Sequence, residues 1–283
     1  MLFWHSYHFI YDELMTMRLM LTTILWLVLL YLALCAAAWS YQSRLIFPGA
    51  KAGSAHYQTY AEQQIQLQRE GVKLEGWAVM RAETSSNEAV PVLIYFGGNG
   101  EDVVTMLPKL EKFGAASIYA FNYRGYGNSE GKATQESLFE DALAIYDYIS
   151  AQHSHNARIV IVGRSLGTAV AGYLATQRDI HGLILLTPLS SAIANGQRML
   201  PFLPVKYLIS HPFDLTSMAK DFSCPVLVLI AEADTVIPPS DSQQTYDAIT
   251  SPKHLVRLPG VGHGNVFDNP NALKSVREFL FIR

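Results

Sequence analysis

A candidate serine nucleophile is the clearest chemical feature of the sequence. Residues 163–167 read Gly-Arg-Ser-Leu-Gly, a G-x-S-x-G pattern centred on Ser165. An apolar run precedes the pattern and a helical pattern follows it, and a sharp strand-to-helix turn of this kind projects the serine hydroxyl above the edge of a sheet. The flanking glycines let neighbouring chains approach the turn. The motif therefore predicts a nucleophilic Ser165, the alternative being a serine that only caps the helix.

A histidine and an aspartate are placed where they could activate this serine. A serine hydroxyl needs a base, and of the 9 histidines His263 lies in a glycine-rich segment, 260–264, after the last apolar run. Loops at the carboxyl ends of parallel strands form the ligand crevice of α/β sheets. The base in turn needs an orienting acid. Asp234 closely follows the run at 226–231, with Glu232 as the nearest alternative, so we expect a triad of Ser165, His263 and Asp234.

Two backbone segments could stabilise the oxyanion that forms when a serine attacks an acyl carbonyl. Such a charge needs backbone N–H donors aimed at it. Leu166, the residue after the serine, can supply one donor. The other should come from the glycine-rich loop at 96–100, which reads Phe-Gly-Gly-Asn-Gly. A phosphate cradle is the alternative for this loop, but no Gly-Lys-Ser/Thr follows it, as a nucleotide P-loop would require.

The elements that must position these groups are strands alternating with helices. Near-continuous apolar runs, typical of parallel strands buried on both faces, occur at 90–96, 116–122, 158–162, 182–186 and 226–231, with a shorter candidate at 254–258. Alternating patterns at 64–69 and 72–80 predict antiparallel strands. Helical patterns lie at 102–113, 135–151, 166–177, 241–250 and 271–280. This alternation predicts a doubly wound, mostly parallel α/β sheet.

One insertion interrupts the alternation. Residues 189–223 form a connection of about 35 residues, longer than an ordinary loop, and such segments are usually functional. Its apolar stretch 199–204 reads Met-Leu-Pro-Phe-Leu-Pro. We interpret the segment as a short cap over the site, with Phe202 and Leu203 as candidate substrate-pocket residues. The alternative is that these side chains only seal the top of the sheet.

The N-terminal segment predicts a membrane anchor. Residues 19–39 carry no charge, and as a helix they would be ~31 Å long, close to the thickness of a hydrocarbon core. Trp39 and Tyr41 lie where an interfacial aromatic belt would be. We therefore divide the chain into a lead-in at 1–18, an anchor at 19–39, a linker at 40–61 and a catalytic domain at 62–283.

A cleaved signal peptide is the alternative for this segment. Residues 36–38 are Ala-Ala-Ala, which resembles the small-residue site of a signal peptidase. Arg18 precedes the apolar segment while Arg44 and Lys51 follow it, so the positive-inside rule favours neither orientation of an anchor.

The composition excludes several classes of function. Half of the 283 residues are hydrophobic, too many for an intrinsically disordered chain. A net charge of −3 without a long basic run argues against a nucleic-acid partner. The 2 cysteines cannot form a disulfide scaffold or a structural zinc site. No cluster in the sequence has the spacing of metal ligands, so we expect neither a metal nor a cofactor.

Several sequence blocks together resemble the α/β-hydrolase superfamily, and most closely its membrane-anchored serine-hydrolase branch (BEM46-like or serine aminopeptidase-like). They are YFGGNGED, FNYRGYGNSEG, VGRSLGT, PFLP, LIAEADTVIPP and LPGVGHGN, from about residue 70 to the end. The order Ser, Asp, His along the chain is that of the α/β-hydrolases. The resemblance implies an α/β-hydrolase fold, the triad Ser165, Asp234 and His263, and oxyanion donors at Leu166 and Asn99. The family often has His where this chain has Gly97 and Gly where it has Ala231.

The expected function is hydrolysis at a membrane. We predict a tethered serine hydrolase that cleaves carboxylic ester, lipid ester or thioester bonds through an acyl-enzyme. Peptides are less favoured, because nothing in the sequence suggests an acidic pocket for an amine. The alternatives are a catalytically silent binding module of the same fold and a peptidase of the same fold. The sequence indicates no oligomeric state.

Overall fold

The computed structural model describes residues 2–80, 91–115, 117–154 and 157–281, with side chains from residue 13 onward. These residues form an eight-stranded sheet in the order β1-β2-β4-β3-β5-β6-β7-β8. The strands are β1 Gln64–Arg69, β2 Val72–Met80, β3 Val92–Phe96, β4 Ser117–Phe121, β5 Ile159–Arg164, β6 Gly182–Leu186, β7 Val226–Ala231 and β8 Lys253–Leu258. β2 pairs antiparallel with β1 and β4, and all other pairs are parallel. The predicted fold class, an α/β-hydrolase fold with a mostly parallel sheet, is confirmed.

Helices cover both faces of this sheet. They are α1 Leu2–Ile46, α2 Ser54–Thr59, α3 Leu107–Leu110, α4 Gln135–Ser150, α5 Leu166–Gln177, α6 Ala192–Met199, α7 Val205–Leu208, α8 Leu215–Met218, α9 Pro239–Ala248 and α10 Pro270–Leu280. The segment expected as one helix at 102–113 is α3 flanked by 3-10 turns at Val103–Met106 and Glu111–Phe113. Pro108 at the start of α3 cannot donate a backbone hydrogen bond, which favours this break.

The sheet explains the continuous apolar runs. Every residue of β3, β4, β6 and β7 is buried, because helices cover both faces. Two clusters of buried side chains result, one on each face. β1, at the edge, instead alternates exposed with partly buried residues. The parallel register aligns Phe96 of β3 with Gly163 of β5, so the loops after these strands leave the sheet side by side.

The first helix is longer than the predicted anchor. α1 continues to Ile46, so residues 40–46, which were predicted to begin the linker, belong to the helix. The chain has no helix breaker before Pro48 and Gly49, which explains the extension. Residues Glu13–Ile46 are long and apolar enough to cross a membrane, with a mean hydropathy of 2.4 in the most apolar stretch.

The insertion between β6 and β7 contains α6, α7 and α8. Ser191 caps α6 by accepting a hydrogen bond from the backbone N–H of Ala194 at 3.1 Å. Asp214 caps α8 in the same way, from the N–H of Ser217 at 3.0 Å. Phe213, between α7 and α8, is fully buried and fixes the segment to the core. We call residues 189–223 the cap.

Candidate active site

Ser165 occupies the sharp turn that the motif predicts. It lies between the last residue of β5 and the first residue of α5, with φ 51° and ψ −118°. Positive φ is strained for a residue with a Cβ, and such strain is often found at active sites. The backbone N–H of Ser165 donates to the carbonyl of Leu186 at 3.0 Å, which ties the turn to β6.

The two glycines of the motif are required by close packing. A Cβ on Gly163 would lie 2.5 Å from the carbonyl oxygen of Gly167. A Cβ on Gly167 would lie 2.5 Å from the carbonyl oxygen of Gly97 and closer still to that of Phe96. Backbone therefore packs directly on backbone here, and the turn at Ser165 is pressed against the loop that follows β3.

The structure brings Asp234 and His263 together. Oδ2 of Asp234 lies 2.7 Å from Nδ1 of His263, and Oδ1 accepts from the backbone N–H groups of Val236 and Ile237, both at 2.8 Å. The aspartate side chain is 1% exposed and that of His263 15%. This arrangement favours the tautomer with its proton on Nδ1, which leaves Nε2 able to accept a proton.

Glu232, the alternative acid, lies elsewhere. Its carboxylate is 38% exposed and 3.6 Å from Nη1 of Arg257. The backbone N–H of Glu232 donates to the carbonyl of Leu258, and the backbone N–H of Ala233 donates to the carbonyl of Val261. These bonds bind the loop after β7 to the loop after β8, which holds Asp234 beside His263.

Ser165, Leu166 and Asn99 line one cavity of about 560 Å³, a volume common for small-molecule sites. A Cβ on Gly98 would lie 3.6 Å from Cβ of Ser165, so the loop after β3 passes beside the serine. The loop predicted to supply the second oxyanion donor therefore lies next to Ser165. The side chain of Asn99 points to α1, donating from Nδ2 to the carbonyl of Leu45 at 3.4 Å.

Of the two expected pocket residues, one lies in this cavity. Leu203 lines it, but Phe202 lies outside with 88% of its surface exposed, and the expectation for Phe202 was wrong. The chain turns after α6, and at this turn Leu203 reaches the cavity while Phe202 is left exposed. The remaining lining side chains come from α1, α6, α7 and the loop after β7, and they include Ala38, Gln42, Leu45, Ile46, Met199, Leu200, Val205, Leu208, Ile209, Val236 and Ile237.

A buried ion pair next to Ser165 was missed by the sequence analysis. Arg164 forms a salt bridge with Glu101, and Tyr95 donates its hydroxyl to Glu101 at 2.7 Å. Arg164 also donates to the carbonyl of His263 at 3.4 Å. Burial acts to lower the pKa of Arg164, but the Glu101 carboxylate, together with Tyr95 and Asp234, more than offsets burial, so the pKa is raised. The pair thus connects the loops that carry Asn99, Ser165 and His263.

The sheet order, the strained serine turn and the histidine–aspartate pair define an α/β-hydrolase. In agreement, the sequence model of the α/β hydrolase fold matches residues 91–208. An uncharacterized protein of Mycobacterium tuberculosis is 33% identical over 248 residues, covering 86% of this chain and 88% of the relative. The chain belongs to the α/β-hydrolase family.

A second sequence relative and a solved structure are also similar to this chain. An uncharacterized membrane protein of Saccharomyces cerevisiae is 28% identical over 260 residues, covering 87% of this chain and 90% of the relative. Among solved structures, the Pyrococcus furiosus esterase Pf2001 superposes with a TM-score of 0.63 at 18% identity, covering 83% of this chain and 98% of that chain. The structural likeness supports the fold.

Proposed function

We propose that this protein is a membrane-tethered serine hydrolase that cleaves carboxylic ester, lipid ester or thioester bonds. The observation that carries the proposal is the strained Ser165 lining an apolar cavity, with a hydrogen-bonded Asp234–His263 pair on the adjoining loops. Membership of the α/β-hydrolase family supports a hydrolase. The esterase described above supports esters as the substrate class.

The reaction follows from the roles of these groups. Nε2 of His263 takes the proton of Ser165 as its Oγ attacks the acyl carbonyl, and Asp234 stabilises the imidazolium that forms. The backbone N–H groups of Leu166 and Asn99 stabilise the oxyanion. His263 then protonates the leaving alcohol or thiol, and water cleaves the acyl-enzyme by the same steps in reverse.

The cavity favours an acyl substrate over a peptide. None of the described residues that line it is acidic, so the part of the site that the structure describes offers no partner for a free amine. Its walls are mainly aliphatic, which suits the hydrocarbon portion of an ester. Water-excluding walls also strengthen the electrostatic stabilisation of the oxyanion.

A fluorophosphonate probe tests this function directly. The probe phosphonylates a serine only where a base activates it, so we expect labelling of the full-length protein and none of Ser165→Ala. Ser129→Ala, at a buried serine outside the cavity, is the matched control and should label like the natural protein. Failure of the natural protein to label would instead support the catalytically silent binding module.

Membrane attachment gives a second prediction. The full-length protein should stay in the membrane pellet after washes with high salt and with alkaline carbonate, because Glu13–Ile46 provides enough apolar surface to span a bilayer. Cleavage after Ala38 would cut α1 within the face that lines the cavity, which argues against a signal peptide. Release by carbonate, or a mature N-terminus at Trp39, would contradict the anchor.

The acyl chain preference gives a third prediction. Each buried methylene contributes about 0.8 kcal/mol, so kcat/KM should rise several-fold per methylene from acetyl to at least hexanoyl esters. Leu203→Ala should flatten this slope, because Leu203 lines the cavity, whereas Phe202→Ala should leave it unchanged on soluble esters. Rates that fall steadily with chain length would indicate a hydrolase of small esters.

A further inference from the structure

The anchor helix forms part of the catalytic cavity. Ala38, Gln42 and Leu45 of α1 all line it, and spacings of four and three residues place them on one face of the helix. Residues of α6 and α7 of the cap also line it. The cavity therefore lies between the catalytic serine, the cap and a helix that also has the character of a membrane span.

Hydrogen bonds fasten the cap to α1 along this boundary. Gln42 donates from Nε2 to the carbonyl of Leu208 at 3.0 Å and accepts at Oε1 from the N–H of Ser210 at 2.6 Å. Further toward the N-terminus, the hydroxyl of Tyr31 donates to the carbonyl of Phe202 at 3.2 Å. The cap thus follows α1 from residue 42 back to residue 31, into the apolar part of the helix.

This contact fixes the depth of the cap relative to the bilayer. Trp39 is the aromatic residue expected near the headgroups. Tyr31 is eight residues nearer the N-terminus, which corresponds to about 12 Å along the helix. The turn that contains Phe202 would then lie below the headgroups, among the acyl chains.

The surface of this turn matches such a position. We call residues 199–207 the cap tip. Four of its large side chains are exposed, namely Met199 at 74%, Leu200 at 40%, Phe202 at 88% and Tyr207 at 83%. Outside α1 and the cap, the described exposed large apolar residues are the scattered Met80, Val236 and Phe281. A contiguous exposed apolar patch marks an interaction surface.

The carbonyl groups of the turn are also paired within the protein. Backbone groups in hydrocarbon must be satisfied by the protein itself. Nε2 of Gln197 lies 3.0 Å from the carbonyl oxygen of Leu203, 3.3 Å from that of Pro201 and 3.4 Å from that of Leu200, so its two N–H groups are shared among the three. Tyr31 satisfies the fourth carbonyl, that of Phe202. The prolines at 201 and 204 bring no N–H groups.

We propose that the cap tip inserts into the bilayer beside α1, and that the cavity opens there to receive the acyl chain of a membrane-resident ester. The opening lies at Met199 and Leu200, because both residues line the cavity and both are exposed. The substrate is accordingly an acyl lipid that reaches Ser165 laterally from the membrane. This inference rests on the proposed hydrolase function and specifies its substrate.

The first test compares two substrates in proteoliposomes that contain the full-length protein. One is a soluble butyryl ester, and the other is a fluorogenic oleoyl ester dissolved in the phosphatidylcholine bilayer. Phe202→Asp should lower the rate on the oleoyl ester by roughly tenfold or more, because it places a charge where an aromatic ring would lie among the acyl chains. It should leave the butyryl rate unchanged. Met80→Asp, at another exposed apolar residue that lies outside the cap, should change neither rate.

The second test measures insertion without activity. Burial raises the pKa of the Cys224 thiol to about 12, so this thiol should not react with a maleimide, and Cys35→Ala removes the other cysteine. In that background an environment-sensitive fluorophore at Phe202→Cys should shift to the blue in vesicles and be quenched by doxyl-labelled lipid. The same fluorophore at Lys274→Cys, an exposed site on α10, should show neither effect.

The outcomes separate this inference from the proposed function. Hydrolysis of neither ester by the natural protein would overturn the proposed function. Hydrolysis of the butyryl ester alone, equal oleoyl rates for Phe202→Asp and the natural protein, or no quenching at position 202 would overturn the inference and leave the hydrolase intact. Selective loss of oleoyl hydrolysis together with quenching at position 202 supports both.

Discussion

Replacing Ser165 or His263 with alanine should lower kcat/KM for an ester by about 10⁴-fold or more, and combining the two should cost little beyond either alone. The reason is that the two groups act in one step: without the base the hydroxyl stays protonated, and without the hydroxyl the base has no nucleophile to activate. Initial rates of the purified full-length variants in detergent, with a butyryl ester, provide the measurement.

Asp234, the proposed acid, allows a sharper comparison. Asp234→Asn should lower kcat/KM, because a neutral amide no longer stabilises the imidazolium. The decrease should be somewhat smaller than that caused by loss of the serine, since the amide oxygen can still accept from the N–H groups of Val236 and Ile237. Glu232→Gln is the matched control and should remain close to the natural rate, since Glu232 faces Arg257. Near-full activity of His263→Ala, or a larger loss in Glu232→Gln than in Asp234→Asn, would show that the roles are wrongly assigned.

The parts of the fold that follow from local pattern were predictable. Strands buried on both faces have continuous apolar runs, and the runs at 182–186 and 226–231 coincide with β6 and β7. Glycine spacing around Ser165 likewise reflects a backbone contact, since a Cβ on Gly167 would collide with the loop after β3. The positions of Asp234 and His263 after successive strands follow from the same parallel order.

The features that depend on contacts between distant segments were not predictable. Hydropathy limited the predicted anchor to 19–39, although the chain has no helix breaker before Pro48 and α1 continues to Ile46. No local pattern reveals that Gln42 bonds to the cap or that Gln42 and Leu45 line the cavity. The orientation of Phe202 depends on a turn whose carbonyl bonds to Tyr31, far away in the sequence. Arg164 could have been singled out as a charge at the end of an apolar strand, but its partner Glu101 follows a different strand.

The pair of Glu101 and Arg164 gives the second large effect. Their side chains are 7% and 17% exposed, and breaking such a pair leaves an uncompensated buried charge that costs about 3–5 kcal/mol. Glu101→Gln and Arg164→Met should each lower Tm markedly. Each should also lower kcat more than it raises KM, because the pair positions the loops that carry Asn99 and His263 rather than touching the substrate.

The double variant distinguishes a buried charge from a general loss of packing. Glu101→Gln combined with Arg164→Met removes both charges, so its Tm should lie above that of either single variant. Asp147→Asn is the matched control: Asp147 pairs with Arg178 at 2.8 Å, but both side chains are substantially exposed, and such a pair contributes about 1 kcal/mol or less. Additive losses in the double variant, or single variants as stable as Asp147→Asn, would show that Arg164 and Glu101 do not act as a coupled pair. If the double variant is more stable than either single variant, then Arg164 holds the loop of His263 and the loop of Asn99 in place through the buried carboxylate of Glu101.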